Sequence, residues 1–223
     1  MSLGVPRVHR RLVDSTNAWA RRLAERGAPH GTLVTAGEQS AGRGRQGRTW
    51  SAPGGQALLC SLIVREPPRL LPLLAGLAVA EEAGPEARVK WPNDVLLDGR
   101  KVAGILVEGR PQEGWAVLGI GLNVAVNLAE LPAELAERAG SLQRAPGEIE
   151  PTLDRLLRRL DGWLTAPPDA LLAGFRRRDA LAGRNVHWRG GAGRATGIDE
   201  EGRLIVLTEA GRIPLEAAEV HLG

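Results

Sequence analysis

The spacing of apolar and polar positions changes period several times along the chain. Residues 18–28 (AWARRLAERGA) place Ala18, Leu23 and Ala24 at helical spacing among Arg and Glu. The preceding cluster Asp14-Ser15-Thr16-Asn17 offers N-cap side chains, and Gly27 and Pro29 supply a stop. Residues 32–36 (TLVTA) read as a strand, residues 38–49 as a polar loop, and residues 57–64 (ALLCSLIV) as a buried strand. Residues 69–83 are apolar and helical, with Pro72 tolerated in the first turn. Short strands over 89–91 and 95–97 flank Pro92. Longer ones follow at 101–108 (KVAGILVE) and 115–124 (WAVLGIGLNV). The turns Asp98-Gly99 and Glu113-Gly114 predict hairpins and hence antiparallel neighbours. Residues 151–164 form an amphipathic helix with a basic face, and residues 169–178 a second helix after the Pro167-Pro168 break. Beyond Gly183 the chain turns to short β segments at 185–188, 192–199, 203–207, 212–214 and 220–222, enough for a small barrel. The class predicted is α+β.

Composition narrows the picture. The 223 residues suit one medium domain or one domain plus a small appendage, and a hydrophobic content of 43% can fill a core. The longest charge-free runs, 49–64 and 114–129, reach only about sixteen residues and contain Pro, Gly or Asn, too short and too interrupted for a bilayer. No apolar leader is visible at the N-terminus. A single cysteine, Cys60, excludes an internal disulfide, a zinc finger and an iron–sulfur cluster, and makes a reducing, cytoplasmic setting the expectation. The net charge of +3 gives little support to general nucleic-acid binding. Only Lys90 and Lys101 among 29 basic residues are lysine, so each is a candidate for work that suits a compact ammonium better than a planar guanidinium.

Residues 42–49, GRGRQGRT, match G-x-G-x-x-G and nearly match G-x-x-x-x-G-K-[ST]. Both motifs need the glycines to open a helix, whose N-terminus binds the anion. Here Trp50-Ser51-Ala52-Pro53-Gly54-Gly55 follows and cannot start one, so dinucleotide-binding and P-loop readings are rejected. What remains is a supple loop with Arg43, Arg45 and Arg48, able to fork onto phosphate or carboxylate oxygens, with Trp50 placed to stack on a base. Taken alone it could equally be a solvated basic loop or a nucleic-acid contact. Gly104 inside one strand and Gly119 and Gly121 inside another permit close approach of a ligand or of backbone. The four histidines show no metal spacing.

Ser15-Thr16-Asn17, the loop from Gln39 to Trp50, Lys90-Trp91-Pro92-Asn93-Asp94, residues 100–108 (RKVAGILVE) and Gly119-Ile120-Gly121-Leu122-Asn123 occur together and in order. In that combination the chain resembles the biotin protein ligases, from about Asp14 to its end. The resemblance implies a catalytic domain related to class II aminoacyl-tRNA synthetases with a mixed sheet (residues 1–180) and an SH3-like C-terminal barrel (residues 181–223). It implies two steps: biotin and ATP give biotinyl-5′-AMP, and a lysine of the biotin carboxyl carrier domain of acetyl-CoA carboxylase then takes the biotin. Mg²⁺ is expected with ATP, with ligands that cannot be assigned.

On that reading Arg45 and Lys101 are the catalytic candidates, because two anions meet and cations must neutralise both. Biotin-binding roles fall to Ser15, Thr16, Asn17, Gln39, Gly42, Arg43, Gly44, Arg45, Lys101 and Gly104, with Ser15 and Asn17 facing the ureido ring. Nucleotide-binding roles fall to Arg45, Arg48, Trp50, Asn93, Lys101 and Asn123. Lys90 is left as structural. The loop over 38–49 is expected to be mobile until ligand binds, then to shield the water-sensitive adenylate. Only thirteen residues precede Asp14, so no DNA-binding module and no specific DNA binding are expected, nor any membrane contact. A homodimer is implied only by resemblance. The rivals are a lipoate–protein ligase on a similar scaffold and a noncatalytic nucleic-acid-binding module using the Arg loop and Arg176-Arg177-Arg178, a run otherwise read as a solvated helix face.

Overall fold

The first strand is one that the hydrophobic pattern does not announce. In the computed structural model, which describes residues 3–216 and 220–222, Arg7–Val13 forms β1 at the sheet edge. Its residues are mostly polar and exposed, so no apolar alternation marks it. The helix α1 (Thr16–Glu25), β2 (Leu33–Gln39), β3 (Ala57–Arg65) and the helix α2 (Leu71–Ala83) follow. Then come β4 (Arg88–Lys90), β5 (Asp94–Leu97), β6 (Arg100–Arg110) and β7 (Trp115–Asn123). They make a seven-stranded sheet in the order β1-β2-β3-β7-β6-β5-β4. β1 runs parallel to β2 and every other neighbouring pair is antiparallel, which gives the mixed sheet expected. Both predicted hairpins form.

The central strands read as unbroken apolar runs because helices cover both faces. Side chains alternate between faces along a strand. From β3, Leu58, Cys60, Leu62 and Val64 enter the large core with α2, whereas Ile63 joins Ala20 and Ala24 of α1 in a smaller one. Ser61 shares the α1 face, and the same alternation puts Gly119 and Gly121 of β7 there, opposite the core residues Leu118, Ile120 and Leu122. Almost every residue of α2 is buried, since it packs between the sheet and two later helices, α4 (Ile149–Thr165) and α5 (Pro168–Arg178). Between β7 and α4 lies one short helix, α3 (Ala133–Ala136), that the periodicity missed. On α4, Thr152, Leu153, Leu156 and Leu160 face inward, the stripe that amphipathic spacing predicted.

The C-terminal segment forms a five-stranded antiparallel sheet from β8 (Asn185–Trp188), β9 (Gly191–Ile198), β10 (Leu204–Thr208), β11 (Gly211–Leu215) and β12 (His221–Leu222). Their order is β11-β10-β9-β8-β12. Val186, Ala195, Leu204 and Val206 join the same core as α2, and Trp91 Nε1 donates to the Gly202 carbonyl at 2.9 Å. Met1, Ser2 and Gly223, the ends of the two predicted domain ranges, lie outside the described residues. One expectation is corrected here. Arg178 does not stand in solvent: its Nη1 donates to the Gly84 and Ala87 carbonyls, each at 2.9 Å, and holds the chain leaving α2. Arg176 and Arg177 are exposed, as expected of a solvated face.

Candidate active site

A cleft with a cavity volume of about 140 Å³ opens on the α1 face of the large sheet. One end is built by the start of α1. Ser15 is the N-cap, its Oγ 3.5 Å from the Ala18 amide, so Thr16 and Asn17 enter the first turn directly above the strands. Gln39, at the end of β2, accepts from the Thr16 amide at 2.7 Å and from its hydroxyl at 3.0 Å. Ser61, fully buried on β3, lies 2.8 Å from Thr16 Oγ1 and 2.6 Å from Asn17 Oδ1. The Asn17 amide Nδ2 donates to Glu108 Oε2 at 2.8 Å and to the Leu106 carbonyl at 3.3 Å. Asn17 fits against the sheet because position 119 is glycine: a Cβ there would overlap its side-chain oxygen. This end of the cleft is polar and holds no charge of its own beyond Glu108 at its edge.

The other end is cationic. Arg43, Arg45, Arg48, Lys90 and Lys101 line the cleft against one carboxylate, Asp94. Even with Arg43 beside Glu108 and Lys101 beside Asp94, the cations are in excess, which suits a multiply charged anion. The Gly–Arg loop is a small folded flap. Arg43 and Thr49 bridge its stem, the Trp50 amide donates to the Gly42 carbonyl at 3.0 Å, and a turn at Arg45–Gly47 closes the tip. At the tip Gln46 has φ 55° and Gly47 φ 77°, a left-handed pair that glycine eases. The flap docks through Arg45 Nη1, which donates to Asn93 Oδ1 at 3.1 Å. Asn93 is held by donating its own Nδ2 to the Ile105 carbonyl at 3.0 Å.

Lys101 and Gly104 are three residues apart on β6 and would point to opposite faces of a regular strand. A register shift between β5 and β6 leaves Val102 as an extra residue: Val95 pairs with Ala103 but Leu96 with Lys101. This bulge buries Val102 and Ala103 together and turns the lysine onto the face of Gly104. Its ammonium there lies 2.6 Å from Asp94 Oδ1 and 5.7 Å from the centroid of the Trp50 ring. Trp50 itself rests on two glycines. A Cβ at 121 would overlap the indole, and one at 104 would come within 3.1 Å of it. The glycines in the two strands therefore admit the protein's own Trp50 and Asn17, which form the walls that a ligand meets.

Most of the residues singled out from sequence converge on this cleft: Ser15, Thr16, Asn17, Gln39, Arg43, Gly44, Arg45, Arg48, Trp50, Asn93, Lys101 and Gly104 all line it. Lys90, set aside as structural, lines it too. Two residues do not. Asn123 is buried and donates its Nδ2 to the Gly140 carbonyl at 2.8 Å, so it pins residues 139–144 to β7 and does not line the cleft. Gly42 lies beneath the Trp50 carbonyl, where any Cβ would collide. Sequence reasoning missed Ser61 and gave Glu108 no role, because their partners are brought to them only by strand register. Cys60 takes no part: it faces the core, and burial pushes its thiol up to about 12. Among the described residues no three His, Cys, Asp or Glu side chains converge.

Residues 9–125 match the model of the biotin/lipoate A/B protein ligase family, and residues 183–223 match the biotin protein ligase C-terminal domain. The chain belongs to the biotin/lipoate A/B protein ligase family. Among its relatives, the biotin–[acetyl-CoA-carboxylase] ligase of Paracoccus denitrificans is 37% identical across 94% of this chain and 98% of its own. The bifunctional ligase/repressor BirA of Bacillus subtilis is 36% identical across 99% of this chain and 75% of its own. The biotin protein ligase of Aquifex aeolicus, solved in complex with biotin and ATP, superposes with a TM-score of 0.81 at 30% identity, covering 97% of this chain and 98% of its own. A fold shared with biotin protein ligases agrees with the mixed sheet and the C-terminal antiparallel sheet of this family member.

Proposed function

We infer that this family member is an ATP-dependent biotin–[acetyl-CoA-carboxylase] ligase. The observation that carries the reading is the division of one cleft into a polar end whose floor is built of Ser, Thr, Asn and Gln side chains, suited to a urea ring, and a cationic end backed by Trp50, suited to a nucleotide. Biotin would lie at the α1 end, where the Ser15 hydroxyl and the Gln39 amide Nε2 have hydrogens to offer. Its carboxylate would then reach the cations. ATP would lie against Trp50, with the flap arginines and Lys101 around its phosphates.

In the first step a carboxylate oxygen of biotin attacks the α-phosphorus. A carboxyl–phosphate bond forms, the bond to the β-phosphate oxygen breaks, and pyrophosphate leaves. Both reactants are anionic, so the barrier is mostly electrostatic, and Arg45 and Lys101 oppose it from two sides. Arg45 comes from the flap, and Lys101 comes from a bulged strand that fixes its direction. In the second step the neutral amine of the carrier lysine attacks the acyl carbon. An amide forms, the amine loses a proton, and AMP leaves. The flap, closed over the cleft, would keep water from the adenylate meanwhile. Mg²⁺ would arrive on the triphosphate, in keeping with its habit of binding through phosphates and few protein groups.

The reading treats residues 1–180 as the catalytic unit and 181–223 as an SH3-like unit, and sets the enzyme in the cytoplasm, acting on a carrier domain of acetyl-CoA carboxylase. A lipoate ligase is the nearer rival, since the family takes in both acids. A nucleic-acid module would leave the Ser15–Thr16–Asn17–Gln39 array without a task. Incubation with ATP, a carrier domain and either labelled biotin or labelled lipoate separates them. The inference predicts ATP-dependent label on the carrier from biotin alone. Transfer of lipoate alone, or of neither, would refute it.

A further inference from the structure

Glu108 stands outside every motif role assigned above, yet it is the point where the two ends of the cleft meet. It projects from β6, half-buried, and its two carboxylate oxygens are divided between two masters. Oε2 accepts from Asn17 Nδ2 at 2.8 Å, on the floor of the polar end. Oε1 lies 3.6 Å from Arg43 Nη1, on the flap.

The direction of the hydrogen bonds is fixed by proton count. Asn17 Nδ2 has two hydrogens, and Glu108 and the Leu106 carbonyl take both. Asn17 Oδ1 is then an acceptor, and the Ser61 hydroxyl, 2.6 Å from it and 2.8 Å from Thr16 Oγ1, is the donor that reaches it. Asn17 therefore has no donor left for a ligand. It is a wall that links Ser61 on β3 to Glu108 on β6, seated where Gly119 carries no Cβ to exclude it. Among the described residues, the side-chain contacts that tie the flap to the body include Arg45–Asn93 and Arg43–Glu108. Both arginines are among those expected to meet the reactants; Glu108 is not, and its carboxylate is the one that joins the flap to the Asn17 floor.

We propose that Glu108 is a positioning residue, a latch that ties the closed flap through Arg43 to the Asn17 floor and so keeps the cleft shut around its contents. That its contents are biotin and its adenylate rests on the function proposed above. Glutamine at 108 separates the two bonds. Its carbonyl can still accept from Asn17, but only by turning its amide hydrogens toward Arg43, which has no acceptor to offer. A partly exposed ion pair of this kind is worth about 0.2–1 kcal/mol, so about a one-and-a-half- to five-fold effect is expected.

Trypsin reads the flap directly, because cleavage after Arg45 and Arg48 rises as the flap leaves the body. For the folded chain, E108Q should raise cleavage at these two bonds about one-and-a-half- to five-fold. R43A should do the same, and E108Q added to R43A should add nothing. A parallel measurement of biotinyl-adenylate released to solvent, without carrier, should show the same pattern, while for E108Q the rate of ATP–pyrophosphate exchange at saturating biotin stays within two-fold of the parent. Cleavage unchanged by E108Q, or effects of the two substitutions that multiply, would overturn the latch. If proteolysis shows the coupling but no exchange depends on biotin, the latch stands and the assigned substrate falls. If exchange depends on biotin but the coupling is absent, the latch falls alone.

Discussion

At the scale of single residues, the chemistry rests on where two cations point. Lys101 was legible in the sequence because lysine is scarce in this chain and this one opens a strand with a glycine three positions on. Its direction was not legible. The bulge at Val102 that brings Lys101 and Gly104 to one face depends on how β5 pairs with β6, and no local pattern encodes it. Substituting Lys101 or Arg45 by alanine should lower biotin-dependent ATP–pyrophosphate exchange by about 10²–10³-fold, the range for losing one preorganised charge or donor at a reacting centre. Lys101→Arg should not restore it, because a planar fork does not replace a point charge wedged between Asp94 and Trp50. Near-normal exchange in Lys101→Ala would remove that residue from the reaction. Asn123 shows the opposite limit. An Asn in an apolar strand has the same appearance in sequence whether it faces a ligand or pins a neighbouring segment, and here it pins residues 139–144.

Among elements, the strands and helices with strong periodicity were readable and the polar edge strand was not. β1 offers the sheet backbone hydrogen bonds and little apolar surface, so its only signature is its pairing with β2. The glutamates within α2 were likewise unremarkable in sequence. In the fold, Glu82 is buried and receives Arg144 Nη1 at 2.6 Å and Arg155 Nε at 2.9 Å, with Arg159 Nε at 3.4 Å. Burial alone would raise its carboxyl, but the hydrogen bonds from Arg144 and Arg155 outweigh it and hold the group below its ordinary value. The sign follows from the depressed value. The carboxylate stabilises the α2–α4 packing above the ordinary glutamate range of about pH 4–5, and that stability is lost as pH falls through the lower, folded value. Glu82→Gln should cost on the order of 3 kcal/mol at pH 7 and flatten the acid side of a plot of Tm against pH. An unchanged acid slope would show that the cluster carries no linked stability.

For the molecule as a whole, the class was legible early: helices and strands in the first part, tight strands in the last. What sequence could not show is that one apolar core runs from the large sheet through α2 into the C-terminal sheet, with Trp91 bonded to the Gly202 carbonyl across it. The same Trp91 and Val220 border the cleft, so residues far apart in the chain close one site. The central claim is that this site holds a carboxylate and a phosphate together between Arg45 and Lys101. A crystal structure with biotinyl-5′-AMP bound tests it most directly. The account predicts Arg45 guanidinium and Lys101 Nζ within about 2.7–3.2 Å of the phosphate or acyl oxygens, with the urea ring at the Ser15 and Gln39 end. An adenylate whose oxygens lie beyond reach of both cations would contradict it.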